Sequence, residues 1–564
     1  MKHVLLLRGL FMASAALSVV YTVPRLRADL GKTTFDDAYM FLRYAKHWLG
    51  GAGFSWNVAD GPAHGITSAL HLLLVTLLRG LTSLPDPVVL TAVSAAAGLA
   101  ACAALTVLAF QFQDGRGLRE TWAPLLVVPC VLLGPLFGTH ALTGMETTTA
   151  LLTNALLALA LVGLARRPST ARLALTLLAA YATFLARPDN GIYALLLPPL
   201  FLLATDRRHL RFALVYAGAF ALILALDLVL KRSLFGDALP LPFYAKGSGF
   251  HRGYTGAEKW NAMSQMLAFV GDALPYLLVL VAFVSRPVPR PLLVVGLALL
   301  LTFAYLGTVT QIMGWNARYY YPSLPFVVLA AALAAAGPRT GRDPVGAAGG
   351  AVALRLGVAA AVVLAATSPA LQNAAAHAWA RVAMRPQGAL VARTAYPVRA
   401  TAPLPHLGWW NGIREFSVLV ARAPRPLTIA ASEYGLVGAE HPAVEIVDLA
   451  GLHDASFAHH GFSAGRVFAK EPDLVWMPYP EYTYAVTEIL DSGHFAREYE
   501  YYPGAYDYGV ALRKASSSYE ALHQAFEEEF RRLYPGVDPA EHRAAAGAAA
   551  GAAAGAAASA DTTR

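Results

Sequence analysis

The run Val88–Phe110, Val-Val-Leu-Thr-Ala-Val-Ser-Ala-Ala-Ala-Gly-Leu-Ala-Ala-Cys-Ala-Ala-Leu-Thr-Val-Leu-Ala-Phe, carries no charged side chain from end to end. A helix rises about 1.5 Å per residue and the hydrocarbon core of a bilayer is about 30 Å thick, so roughly 20 such residues make one crossing. Working outward, apolar runs recur near 66–82, 122–138, 146–165, 172–187, 190–205, 212–230, 266–284, 291–309, 321–337 and 351–370. With an N-terminal segment at Val4–Val23 they predict a polytopic α-helical membrane protein of about 11 to 13 transmembrane helices. The runs 66–82, 172–187 and 190–205 are short and read as broken, tilted or re-entrant.

Composition agrees: 56% of 564 residues are hydrophobic, 14% are charged, and soluble chains of this size lack that balance. The net charge of +8 does not indicate nucleic acid, because the basic residues cluster between apolar runs, as in Ala165-Arg166-Arg167-Pro168, Asp206-Arg207-Arg208-His209 and Arg286-Pro287-Val288-Pro289-Arg290. Cytoplasmic loops look this way under the positive-inside rule. Lys2 and Arg8 precede or enter the first run, and no small-x-small cleavage site stands before Pro24-Arg25, which favours a signal anchor. Cys102 and Cys130 sit inside apolar runs as core or lipid-facing fillers.

From Leu371 polar residues return, with strand-like runs Leu427–Ala430, Val444–Val447 and Asp473–Trp476 and a helical run Tyr482–Leu490. The predicted organisation is a membrane domain over 1–370 with an external loop 24–65, an extracytoplasmic α/β domain over 371–540, and a disordered Ala/Gly-rich tail over 541–564. Counted backwards from an external C-terminal domain, 139–145, 188–189, 231–265 and 310–320 fall outside. The same count leaves the loop 24–65 on the wrong side by one crossing. A re-entrant 66–82, or a misplaced boundary, removes that conflict.

Asp36-Asp37 stands at the head of Tyr39–Leu49, an amphipathic run too interrupted by charge to span and predicted to lie along the membrane surface. Two readings of the pair are level: helix capping, which needs one Asp, and acid–base chemistry. An Arg at a helix end reads as a snorkelling anchor or a phosphate ligand, and the tyrosines at 319–321 as an interfacial belt or a binding face. His64, His71 and His140 never reach a metal-ligand spacing, and His459-His460 is an isolated pair. No cofactor is predicted, and a divalent metal, although possible, is unsupported by these spacings. No glycine-rich phosphate loop is present, which argues against a nucleotide donor.

The stretches Asp36-Asp37-Ala38-Tyr39, Arg43-Tyr44-Ala45, Gly51–Asn57 and His64-Gly65-Ile66-Thr67-Ser68 resemble the first external loop of bacterial GT-C glycosyltransferases. Gly144-Met145-Glu146-Thr147, Ala186-Arg187-Pro188-Asp189, Phe235-Gly236-Asp237, Pro242-Phe243-Tyr244-Ala245-Lys246 and Arg318-Tyr319-Tyr320-Tyr321-Pro322 follow in similar order, and Asp448–Asp454 resembles a segment of the external domain. The first-loop wording is most similar to arabinofuranosyltransferases of the mycobacterial wall type. The resemblance implies an inverting enzyme of a bacterial inner membrane that moves a sugar from a polyprenyl phosphate to a glycan, glycolipid or protein acceptor. The C-terminal domain would bind or orient that acceptor. It makes Asp36 the base, with Asp37 second, and Arg187, Lys246 and Arg318 the ligands of the donor phosphate. Tyr39, His64, Glu146, Tyr244, Tyr319 and Tyr320 are then substrate-binding, and His140 with Glu146 either lines the acceptor path or caps helix ends. The rival is a lipid-sugar transporter or flippase, although no matching halves are visible. A non-catalytic scaffold would leave these charged loops without a shared purpose.

Overall fold

The computed structural model describes residues 2–112, 126–245, 257–283, 288–308, 315–336, 404–479 and 482–544. The predicted span at 351–370 and the phosphate ligand Lys246 lie outside them. The chain folds into two compact units, one formed from 1–33, 67–230 and 256–385, the other from 34–66, 231–255 and 386–564.

The first unit is helical. Among the described residues, four helices are long and apolar enough to cross a membrane: Asp86–Phe110, Thr147–Arg166, Arg207–Phe235, whose last residues belong to the second unit, and Arg290–Thr308. The chain is therefore read as a membrane protein. Several expected crossings are shorter than a bilayer needs, since 66–82 becomes Ala69–Leu81 and 190–205 becomes Gly191–Thr205 with Pro198 and Pro199 inside it. Helix Lys2–Asp29 takes in the N-terminal apolar segment.

Helix Thr147–Arg166 is mostly buried, packed between Asp86–Phe110 and Thr170–Ala186. Small residues make this approach possible: a Cβ added at Gly98 would come 3.1 Å from the Phe137 ring and 3.4 Å from the Thr148 methyl. Hydroxyls tie the helices where no water would serve them. Ser94 Oγ donates to the Met145 carbonyl at 2.9 Å, and Thr148 Oγ1 to the Ser94 carbonyl at 2.8 Å. Arg207–Phe235 instead exposes Leu214, Leu222, Leu226 and Val229, as a lipid-facing helix would. Cys102 and Cys130 are both buried fillers.

The second unit is built on a five-stranded sheet of β1 (Thr428–Ala431), β2 (Glu445–Asp448), β3 (Leu474–Trp476), β4 (Tyr499–Tyr502) and β5 (Val510–Arg513), in the order β2-β1-β3-β5-β4. β1 pairs parallel with β2 and β3, while β5 runs antiparallel to both β3 and β4. Parallel strands covered on both faces need apolar runs, and Ile429, Ala430, Ile446, Val447, Leu474 and Val475 are all buried. The three runs read as strands lie within a residue of β1, β2 and β3. The Tyr482–Leu490 helix is observed as Thr483–Leu490.

Two expectations are corrected here. The first-loop residues 34–66 belong to the α/β unit. Helix Asp36–Leu49 is amphipathic, and its apolar residues are covered by protein: Ala38–Ala45 are buried and the helix packs on Gly435–Glu440. That packing is close: a Cβ at Gly435 would fall 2.0 Å from the Asp36 carbonyl oxygen. In the C-terminal tail, residues 539–544 are still helical, and 545–564 lie outside the described residues.

Candidate functional site

Two groups of charged side chains stand out, one in each unit. In the first unit Glu146 precedes helix Thr147–Arg166 and is 2% exposed. Its Oε1 accepts from Arg187 Nη1 at 3.0 Å and from Arg318 Nη2 at 3.0 Å, and its Oε2 accepts from Arg318 Nη2 at 3.1 Å. Arg187 also grips Asp189 with two donors, Nε to Oδ1 at 3.0 Å and Nη2 to Oδ2 at 2.8 Å. The Arg187 guanidinium lies 4.7 Å from the centre of the Tyr319 ring. Two guanidiniums and two carboxylates thus meet in one buried knot.

Local sequence explains the placement. Pro188 disfavours the helical conformation for the residue before it; Arg187 is extended (φ −158°, ψ 123°), and helix Thr170–Ala186 stops there. Arg318 follows Asn316 and Ala317, both left-handed at φ 53° and 58°, a conformation that costs energy for a residue with a side chain. The turn is held by His140 Nε2 against the Asn316 carbonyl at 2.8 Å and by the Ala317 amide donating to Gln265 Oε1 at 2.7 Å. His140 therefore braces the arginine loop. His71 is likewise engaged, with Thr149 Oγ1 at 2.9 Å and the Gly144 carbonyl at 3.0 Å. Tyr320 is 2% exposed with its ring edge-on to Phe303, a packing role that leaves no sugar-binding face. Asp189 is the residue missed as a site member, although Arg-Pro-Asp is the signal that carries it.

In the second unit Asp36 and Asp37 open helix Asp36–Leu49, yet the cap position is Phe35, without a side-chain bond. Asp36 instead caps another helix: its Oδ2 accepts from the Gly435 amide and its Oδ1 from the Leu436 amide, both at 2.8 Å, at the start of Gly435–Glu440. It is 1% exposed. Burial pushes its carboxyl up to about 6, against the pull of those amides. Asp37 is half-buried, so of the pair it keeps more accessible surface.

Arg43 is equally enclosed. Its donors reach the carbonyls of Trp56 at 2.7 Å, Gly438 at 3.0 Å and Val444 at 2.8 Å, and Asn57 Oδ1 at 3.1 Å. In the 448–454 segment Asp448 accepts from the amides of Ala450, Gly451 and His453, and burial raises its carboxyl to about 6. His453 is stacked on Trp56 at 3.9 Å and lies 3.1 Å from the Tyr44 hydroxyl, and burial drives its pKa well down, so it stays neutral. That segment is framework. Tyr39 is buried with its ring 5.9 Å from Trp410, and His64 stacks on Phe235 at 5.0 Å. Tyr244 is half-buried, 4.5 Å from the ring of His459, which bonds Asp237 Oδ1 at 2.9 Å.

The structure thus brings Glu146, Arg187, Arg318 and Tyr319 together in the first unit, and Asp36, Asp37 and Tyr39 on one helix of the second. No group of three or more metal-ligating side chains occurs among the described residues. No protein-family model, curated protein or solved structure matches the chain.

Proposed function

We propose that the chain is an inverting glycosyltransferase of the GT-C type. It has more crossings than the four long helices alone and transfers a sugar, arabinofuranose being the candidate, from a polyprenyl phosphate to an acceptor outside a bacterial inner membrane. The observation that carries this reading is the Glu146–Arg187–Arg318 knot. Buried charge beside apolar helices is expensive and is kept where it works. Guanidiniums bind phosphate oxygens through paired N–H donors, and a phosphate can take the place of a carboxylate between them.

Within this proposal Arg187 and Arg318 bind the donor phosphate, and Tyr319 orients Arg187 through its ring. The acceptor hydroxyl loses its proton to a general base as its oxygen bonds to the anomeric carbon, the role that the family resemblance gives to the Asp36-Asp37 pair. The bond from that carbon to the phosphate oxygen breaks, and polyprenyl phosphate leaves with the electron pair. One displacement inverts the anomeric centre. Within this reading Asp37 is preferred over Asp36 as the base, and what supports the preference is that both Asp36 oxygens accept from backbone amides in an enclosed position.

Purified protein given a radiolabelled polyprenyl-phosphate sugar and a glycan acceptor is expected to form a labelled glycosidic bond. Movement of the label across a vesicle membrane with no new bond would establish the flippase instead.

A further inference from the structure

Helix Ala257–Phe283 places an acid, Asp272, among Phe269, Ala273 and Tyr276 of the apolar core of the first unit. Asp272 is 9% exposed, and its Oδ1 has no hydrogen-bond partner among the described residues. The Leu136 amide serves the carboxylate, one donor for a group that accepts about four bonds. An acid so poorly served inside a membrane domain marks a site of function by default.

The atoms around Oδ1 are themselves acceptors. The helical residues 126–132 run out at Gly134, where an added Cβ would fall 2.8 Å from Asp272 Oδ1, 2.9 Å from the Cys130 carbonyl oxygen and 3.3 Å from the Val131 carbonyl oxygen. Only glycine lets the acid approach that helix end so closely. The last carbonyls of a helix have no onward amide donors and carry the negative end of its dipole, so they repel the carboxylate beside them. Tyr276, four residues on, shares a helix face with Asp272, and Tyr276 and Tyr321 both lie within electrostatic range of the carboxylate. Both phenol oxygens are buried with no partner among the described residues. Pro275, having no N–H, also leaves the Gly271 carbonyl without its helix bond.

Acceptors crowded about an acid call for positive charge. A proton would serve one of these oxygens and leave the others facing each other. A divalent ion would leave a net charge in the core, and no group of three or more metal-ligating side chains occurs among the described residues to hold a transition metal. One alkali cation balances the one carboxylate, and helix-end carbonyls can stand in for its water shell.

We infer that Asp272, the Cys130 and Val131 carbonyls and the Tyr276 and Tyr321 hydroxyls bind an alkali-metal cation. The site links the two elements that brace the Arg318 turn. His140 ends the short helix that follows Gly134 and holds the Asn316 carbonyl, while Gln265, about two turns before Asp272, holds the Ala317 amide. A cation between these elements fixes the turn. The inference involves no transfer step, so it stands or falls apart from the proposed enzyme activity.

Full-length protein in detergent is melted in sodium, potassium or choline chloride at equal ionic strength. Saturating sodium or potassium is expected to raise the midpoint by roughly 3 °C over choline and to slow amide exchange at 315–321. Tyr276→Phe keeps the ring and should need about tenfold more cation for the same gain. Asp272→Asn should show no cation response, whatever its own midpoint. The site is overturned if choline matches both alkali ions, if the asparagine variant keeps the full response, or if the dose response of the phenylalanine variant is unshifted. It is also overturned if acid raises the midpoint in choline while neither alkali ion does, since Asp272 would then hold a proton instead.

Discussion

Buried charge is handled in opposite ways at the Glu146 knot of the first unit and around helix Asp36–Leu49 of the second. In the first, the Arg187 and Arg318 guanidiniums face the carboxylates of Glu146 and Asp189. Around helix Asp36–Leu49, Arg43 faces backbone carbonyls and the carboxylates of Asp36 and Asp448 face backbone amides. A side-chain counter-ion can swing aside and admit a ligand of its own sign, whereas a peptide group cannot move without unfolding the segment that holds it. Exchangeable partners point to function, and fixed partners point to architecture.

The strongest way to break this contrast is Glu146→Gln. Removing the shared anion leaves two buried guanidiniums with one carboxylate, and breaking a buried ion pair costs about 3–5 kcal/mol. Unfolding in a graded detergent series should show a loss of that size, and an unaffected midpoint would mean that the knot is not held by charge. Next in size is Asp37→Asn, which should lower transfer at least about 100-fold, the usual worth of a general base, while the unfolding midpoint stays put. Full activity in that variant would remove Asp37 from the mechanism.

The smallest effect sharpens the comparison most. Asparagine offers one acceptor oxygen where aspartate offers two, so Asp36→Asn leaves one of the Gly435 and Leu436 amides facing an N–H donor, at a cost of about 1–3 kcal/mol. The folded carboxyl of Asp36 is raised from 3.8 to about 6. Its stabilising share is therefore whole below about pH 4 and is lost as pH climbs through about 6, while the asparagine variant does not titrate. The penalty of Asp36→Asn should be larger at about pH 4 than at about pH 7 in paired melting curves. A penalty that grows with pH would show that the enclosed carboxyl is not raised. Loss of transfer in this variant at unchanged stability would return the base to Asp36.

Much of this was legible in the chain because burial leaves a local trace. Apolar runs predicted the long helices, and short β-rich runs predicted β1, β2 and β3. Arg187 and Arg318 stood out as charges beside apolar segments, and they do converge. What stayed hidden depends on partners remote in sequence. Amphipathicity in Tyr39–Leu49 announced a covered face but not its cover, which is protein and not lipid. The alternation of Tyr499–Tyr502 is too polar to announce β4, since Glu500 is buried among neighbours that no local pattern reveals. Asp36 was equally readable as cap or base, because the helix it caps lies 399 residues away.

That separation also governs how the protein is made. Helix Asp36–Leu49 leaves the ribosome long before the strands that enclose it, so Arg43 must wait with its carbonyl partners at Gly438 and Val444 not yet synthesised. Contacts so distant along the chain form late and leave apolar surface open meanwhile. A C-terminal fragment expressed by itself would lack the piece that fills its interior, and a truncated chain would strand a cation there, so both halves of the polypeptide have to be present before either part of this unit can mature.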